Sequence, residues 1–179
     1  MKIKSKNATQ KLVLSSLVAA LICAATALIK LPTPLGYIHA GDAPVVLAAY
    51  LLSPTYGFLA AGIGSCLADI FSGYAIYAPV TFLIKGGMVL VIYWIQKFPL
   101  KSNKPLFLQI AATFCAELLM VLGYYVFEGF LYGFGAALTA IPFNILQGLV
   151  GMSLGILLIR VLKKSRALDT WNVFDKDLK

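Results

Sequence analysis

Long apolar stretches follow one another along almost the whole chain, and this repetition constrains the fold more than any motif does. The stretches run to about 17 to 25 residues, the length that a helix needs to cross a hydrocarbon core of ~30 Å. Only 12% of the 179 residues are charged, whereas soluble domains average about 25%. The sequence therefore predicts an all-α membrane protein in one compact bundle, without room for a second domain. We predict six transmembrane helices and a cytoplasmic tail, at 12–30, 43–54, 56–72, 77–97, 106–130, 136–162 and, for the tail, 163–179.

The region 43–72 decides the number of crossings, because it is too long for one span and short for two. The sequence SPTYG, from Ser53 to Gly57, holds a proline and turn-forming residues, which favours two short helices. The first of them has residues enough to rise only ~20 Å. We therefore expect helix 2 to be short, tilted or partly re-entrant.

The distribution of positive charge fixes the expected orientation. Thirteen of the fifteen Lys and Arg residues fall into three clusters, and only Lys30 and Lys85 lie outside them. The clusters are Lys2, Lys4, Lys6 and Lys11; Lys97, Lys101 and Lys104; and Arg160, Lys163, Lys164, Arg166, Lys176 and Lys179. With six crossings, all three lie on the cytoplasmic side together with both termini, as the positive-inside rule requires. This pattern also excludes a nucleic-acid-binding surface as the reason for the net charge of +8.

The first span begins with a basic segment that is also typical of a signal peptide. Its apolar part is longer than the h-region of a signal peptide, and it reaches Lys30 without an A-x-A cleavage site. We therefore expect a retained first helix.

Enzyme chemistry has little support in the sequence. The chain has one histidine, His39, and no G-x-S-x-G, H-E-x-x-H or Walker motif. The three cysteines lie in separate apolar segments without metal-ligand spacing, so we interpret them as small core residues. We expect no cofactor, no metal and no catalytic residue, and any ATP hydrolysis must come from another chain.

Polar residues that the predicted topology brings to the outer half of the bundle form the candidate ligand-binding site. Its members are Tyr37, His39, Asp42, Asp69, Tyr74, Tyr77, Thr81, Lys85, Tyr124, Glu128, Asn144 and Gln147. Simpler interpretations stay open for several of them. Tyrosines at this depth also form interfacial belts, acidic residues at helix ends meet water, and amides join helices by hydrogen bonds.

Lys85 is the member that is hardest to explain by structure alone. It lies in the apolar stretch YAPVTFLIKGGMVLVIYWIQ, about 12 Å below the predicted outer end of helix 4. Intramembrane charges are costly and usually functional. We predict that Lys85 pairs with Asp69 or Glu128 and donates a hydrogen bond to the ligand, with a purely structural ion pair as the alternative.

Small residues recur every four positions along helix 1, at Ser16, Ala20 and Ala24. Such a stripe permits close approach of another helix. The pattern fits docking of a partner subunit and also fits packing inside the bundle.

Several stretches of the chain resemble the S components of energy-coupling factor (ECF) vitamin transporters. They are GYIHAGDAPVVLAAYLLSPTYGFLAAGIGSCLADIFSGY at 36–74, YAPVTFLIKGG at 77–87 and IPFNILQGLVG at 141–151. Together with six helices, basic cytoplasmic ends and an Ala-rich first helix, the resemblance covers roughly residues 12–162. The resemblance is strongest to the subgroup linked to pyridoxine and hydroxymethylpyrimidine uptake.

The resemblance implies capture of a vitamin from outside a prokaryotic plasma membrane. The family's ligand contacts map to the first outer loop, 31–42, and to the outer halves of helices 4 to 6, and we expect the loop to close with Tyr37 or His39 against the ligand. The family's docking face maps to Ala20 and Ala24. The implied partners are a transmembrane coupling subunit and two cytoplasmic ATPases. A small secondary carrier or channel, or an accessory subunit, is the alternative, and ATP dependence of uptake would separate these hypotheses.

Overall fold

The computed structural model describes residues 8–97 and 105–165. Within them the chain forms seven helices and one short β-hairpin. The elements are α1 (Ala8–Leu28), β1 (Lys30–Pro32), β2 (Tyr37–His39), α2 (Asp42–Leu51), α3 (Pro54–Phe71), α4 (Ala78–Lys97), α5 (Pro105–Tyr132), α6 (Phe134–Ala137) and α7 (Ile141–Lys164). The charge clusters before residue 8 and within 98–104, and the predicted tail from residue 166, lie outside the described residues.

The predicted break between the second and third helices is present at Ser53. α2 ends at Leu51, and α3 begins at Pro54, where a proline costs no helical hydrogen bond. Among the described residues, four helices are long and apolar enough to cross a membrane, namely α1, α4, α5 from Leu106 and α7. The prediction of a helical membrane protein agrees with this, and the count of six crossings stays a prediction.

α2 explains why the region 43–72 is too short for two ordinary spans. Eight of its ten residues are buried, and it packs against α1, α3, α4 and α7. A short apolar helix of this kind is covered by protein on all sides and does not need the length of a lipid-facing span. Its first residue, Asp42, is thereby placed inside the bundle.

The last long helix begins later than predicted, at Ile141 instead of 136. Residues 134–137 form the separate short helix α6, and Gly133 before it has a positive φ of 91°. Glycine adopts this conformation without strain, and it commonly ends a helix. α5 therefore stops at Tyr132 instead of 130, and Glu128 lies within its last turns.

The loop 31–42 contains a β-hairpin, which the all-α prediction missed. Lys30 pairs with His39, and Pro32 pairs with Tyr37. The Lys30 ammonium donates to Ser72 Oγ at 2.7 Å, and the Tyr77 hydroxyl donates to the Leu35 carbonyl at 2.6 Å. These contacts hold the hairpin against the α3–α4 connection. We call this side of the bundle the hairpin end.

Candidate ligand-binding site

A small cavity of about 30 Å³ lies beneath the hairpin. Ten of the twelve predicted site residues line it: Tyr37, His39, Asp69, Tyr74, Tyr77, Thr81, Tyr124, Glu128, Asn144 and Gln147. The sequence interpretation missed three further lining residues, Thr33, Gly36 and Ala140. Thr33 and Gly36 belong to the loop 31–42, which the family resemblance assigned to the ligand without naming them, and Ala140 has no polar side chain that could have indicated it. Asp42 and Lys85 lie outside the wall.

Aromatic rings form a continuous row along one side of the cavity. The ring centroids of Tyr37 and Tyr74 are 4.8 Å apart, and those of Tyr74 and Tyr77 are 6.2 Å apart. Tyr77 continues the row to Tyr124 at 6.4 Å. Flat aromatic ligands stack on or against such rings, because aromatic pairs favour offset and edge-to-face contacts at these distances.

Two carboxylates face the same cavity. Asp69 Oδ1 accepts a hydrogen bond from the Tyr37 hydroxyl at 2.6 Å, and Glu128 Oε1 lies 3.4 Å from the Tyr77 hydroxyl. The second oxygen of each carboxyl group, Asp69 Oδ2 and Glu128 Oε2, is buried and accepts no hydrogen bond from the described residues. Because a buried acceptor without a donor is costly, both oxygens suit hydroxyl or amino groups of a ligand.

Hydroxyl groups of Tyr37, Thr81 and Tyr124 form hydrogen bonds in the cavity wall. Burial raises the pKa of the Tyr37 phenol, and the neighbouring Asp69 raises this pKa further. The Tyr37 hydroxyl therefore keeps its proton and can bridge the hairpin to α3. Thr81 and Tyr124 share a hydrogen bond of 3.0 Å between their hydroxyl oxygens.

Lys85 pairs with Asp42, and the predicted partners Asp69 and Glu128 are wrong. Both side chains are completely buried. The Gln147 amide donates to the other oxygen of Asp42 at 2.7 Å, and its carbonyl oxygen accepts from the His39 backbone N–H at 3.1 Å. The error came from placing Asp42 in an outer loop, whereas α2 carries it into the bundle to the depth of Lys85.

This network lies below the cavity and supports its floor. Gln147 belongs to both the network and the cavity wall. The hairpin is therefore connected to the ion pair through one side chain, since Gln147 binds β2 at His39 and α2 at Asp42. The ammonium of Lys85 also lies 5.6 Å from the centroid of the Tyr124 ring, which lines the cavity.

His39 is held in its neutral form. Burial lowers its pKa from 6.5 to about 4, the nearby Lys85 ammonium acts in the same direction, and Asp42 opposes them. The neutral ring accepts a hydrogen bond from the Gly41 N–H at Nδ1, at 3.1 Å. A proton on Nδ1 would remove this acceptor.

We expect the folded state to lose stability in acid through His39. With a pKa lower in the folded state than in the unfolded state, its contribution is constant above pH 6.5 and falls as the pH decreases from 6.5 to about 4. Over this range the free energy of unfolding should decrease by at most about 1.4 kcal/mol per pH unit. Thermal unfolding of wild type and His39→Gln across this range measures it, because the variant keeps an acceptor without titrating. Parallel pH profiles of the two proteins would contradict the assignment.

The predicted docking stripe lies on the surface of the bundle. Ser16, Ala20 and Ala24 are all exposed, while the opposite face of α1 is buried at Leu14, Ser15, Val18, Ile22 and Thr26. The Ser16 hydroxyl donates to the Leu12 carbonyl within the helix, at 3.0 Å. Packing inside the bundle therefore does not explain the stripe.

Comparison with known proteins gives a consistent result. Residues 6–164 match the family model of the ECF-type riboflavin transporter, S component. The solved structure of the S component of a bacterial ECF transporter covers 88% of this chain and 98% of its own, with a TM-score of 0.69 and 27% identity. A Pyrococcus woesei protein described as an uncharacterized protein in the gap 3′ region is 35% identical over 141 residues, which is 78% of this chain and 92% of the relative.

These matches confirm the resemblance to S components that the sequence motifs indicated, and with it a substrate-binding transport subunit of a membrane transporter. They do not confirm the pyridoxine or hydroxymethylpyrimidine subgroup. The family match spans both the cavity and the exposed stripe of α1. The chain belongs to the family of ECF-type riboflavin transporter S components.

Proposed function

We propose that this chain captures riboflavin at its hairpin end, which faces the outside of a prokaryotic plasma membrane. The observation that carries the proposal is the combination of an aromatic row with two carboxylates that each have a free oxygen in one cavity. Riboflavin joins a flat three-ring system to a chain of hydroxyl groups, so it offers both a stacking face and hydrogen-bond donors. The family match supports the same vitamin.

The pyridoxine or hydroxymethylpyrimidine type of ligand that the sequence motifs favoured is the second candidate. These molecules are also heteroaromatic alcohols, and they would use the same rings and carboxylates. They are much smaller than riboflavin. Both kinds of ligand would share the same contacts, and the family match is what favours riboflavin.

Titration of the purified protein with riboflavin tests the proposal. Flavin fluorescence should be quenched on binding, because the ring system enters a cavity lined by tyrosines. Pyridoxine and hydroxymethylpyrimidine should compete only at much higher concentration. If either small vitamin bound tightly while the fluorescence of riboflavin stayed unquenched, that vitamin would be the ligand in place of riboflavin. Native mass spectrometry of the protein as isolated provides an independent identification.

Replacing each of the two carboxylates by a neutral amide should weaken binding without unfolding the protein. We expect Asp69→Asn and Glu128→Gln each to raise the riboflavin Kd by about tenfold or more, since a hydrogen bond to a charged acceptor contributes about 1.5–3 kcal/mol. Thr139→Val is the matched control, because Thr139 is exposed at the same end and does not line the cavity. An unchanged Kd in both carboxylate variants would mean that the ligand lies elsewhere.

We further propose that the protein delivers its ligand together with a transmembrane coupling subunit and two cytoplasmic ATPases. The exposed stripe of Ser16, Ala20 and Ala24 is the proposed docking face. Uptake into vesicles should then require both ATP and the partner subunits. Uptake by this chain alone would favour the alternative of a secondary carrier or channel that works without ATPases.

A further inference from the structure

Another buried acidic residue, Glu117, lies near the Asp42–Lys85 pair and does not line the cavity. It belongs to α5 and is only 5% exposed. Both of its carboxylate oxygens are buried and have no hydrogen-bond partner among the described residues. A buried carboxylate without a partner requires an explanation, because an isolated charge is strongly disfavoured in an apolar interior.

Two glycines of α7 create the space that Glu117 occupies. A Cβ atom at Gly148 would lie 3.1 Å from Glu117 Cβ, and one at Gly151 would lie 3.3 Å from Glu117 Oε1. The same Cβ at Gly151 would lie 2.5 Å from Asp42 Cβ. Glu117 and Asp42 therefore approach the same residue, Gly151, from two different helices.

The charges around Glu117 do not balance when every group is ionised. From α2 it faces Asp42, and from α4 it faces Lys85. From α7 it is approached by the two glycines, which carry no charge. One ammonium thus stands against two carboxylates, and the ammonium is already paired with Asp42. The second negative charge must be neutralised by something that the side chains do not supply.

We propose that Glu117 is a proton-binding site in the middle of the bundle, occupied at neutral pH and linked to the ligand cavity. A proton needs no further ligands, whereas a metal cation needs several oxygen atoms. No group of three or more His, Cys, Asp or Glu side chains suited to a metal exists in the part of the chain that the structure describes.

The link to the cavity follows from the shared ammonium. When Glu117 loses its proton, its carboxylate competes with Asp42 for Lys85. A weakened Asp42–Lys85 pair also loosens Gln147, which joins Asp42 to the hairpin at His39. Release of the proton should therefore weaken ligand binding, and by reciprocity bound ligand should hold the proton more tightly.

A polar stripe on α5 extends from Glu117 toward the opposite end of the bundle. Gln109, Thr113 and Glu117 follow one another at intervals of four residues on the buried face, and the Thr113 hydroxyl donates to the Gln109 carbonyl at 2.9 Å. On a helix this spacing places the three side chains in one row. Glu117 is therefore the last member of a polar row on this buried face of α5.

Infrared difference spectroscopy of the detergent-purified protein tests the site without any ligand. We expect the wild-type spectrum at neutral pH to contain a protonated-carboxyl band that is absent from Glu117→Gln. Glu117→Met gives the same comparison should the glutamine variant accumulate poorly, and Glu128→Gln controls for other glutamates. A difference spectrum that contains only carboxylate bands would overturn the proposal. If, in addition, sodium raised the Tm of wild type but not of the variant, the site would bind a metal cation instead.

The link to the cavity is tested by measuring ligand affinity, and this test rests on the proposed function, with riboflavin as the ligand. Between pH 7 and 9 we expect the riboflavin affinity of wild type to fall by about fivefold or more, and that of Glu117→Gln to stay constant. Equal profiles would disprove the link to the cavity. Failure of riboflavin to bind at any pH would count against the proposed function, and the infrared result would still decide the protonation of Glu117.

Discussion

Replacing Ala20 or Ala24 by tryptophan should abolish ATP-dependent uptake while leaving ligand binding by the isolated protein intact. Both side chains are exposed on α1, and neither contributes to the cavity. A small-xxx-small stripe lets two helices approach closely, and an indole ring on the stripe keeps them apart. Uptake is measured in vesicles that contain the coupling subunit and the ATPases, and binding is measured by flavin fluorescence.

A matched variant separates docking from a general effect of a large side chain on the surface. Leu118 of α5 is 46% exposed, so Leu118→Trp adds the same ring to a different face of the bundle. We expect this control to retain uptake. If Ala20→Trp lost ligand binding but still assembled with its partners, or if it transported normally, the stripe would not be the docking face.

The membrane class and most helix positions could be predicted from the sequence, because length and apolar composition act locally. The break at Ser53 and Pro54 is a local signal of the same kind. The central position of α2 could not be predicted in this way. Apart from Asp42 and Tyr50, its residues are apolar. A helix with this pattern fits a lipid environment and a protein core equally well, so the sequence does not distinguish the two.

The members of the candidate site could be collected from the sequence because depth along a helix follows from simple counting. Ten residues selected by depth do line one cavity. Which charged residues form an ion pair could not be predicted in the same way, because this depends on the rotation of each helix about its axis and on the path of the chain after the hairpin. Asp42 illustrates this limit, because its place against Lys85 requires the chain to fold inward after β2.

The second prediction concerns the Asp42–Lys85 ion pair. Lys85→Met should lower the free energy of unfolding by about 3–5 kcal/mol. Methionine fills a similar volume, but it leaves the Asp42 carboxylate buried without a cation. Gln147 still donates one hydrogen bond to Asp42, which is not enough to stabilise a charge in an apolar interior. Thermal unfolding in detergent, together with the yield of monodisperse protein, measures the loss.

A double variant shows whether the lost stability comes from the unpaired charge. In Lys85→Met combined with Asp42→Asn, no charge remains at the pair, and the amide oxygen of the new asparagine side chain can still accept from Gln147. We expect most of the lost stability to return, because removal of both charges of a buried pair costs far less than removal of one.

Since neither residue lines the cavity, the double variant should bind riboflavin nearly as tightly as wild type. A direct hydrogen bond from Lys85 to the ligand, as the sequence suggested, predicts a stable double variant whose affinity is about tenfold weaker or worse. Stability and affinity measured on one protein therefore distinguish a lysine that supports the site from a lysine that contacts the ligand.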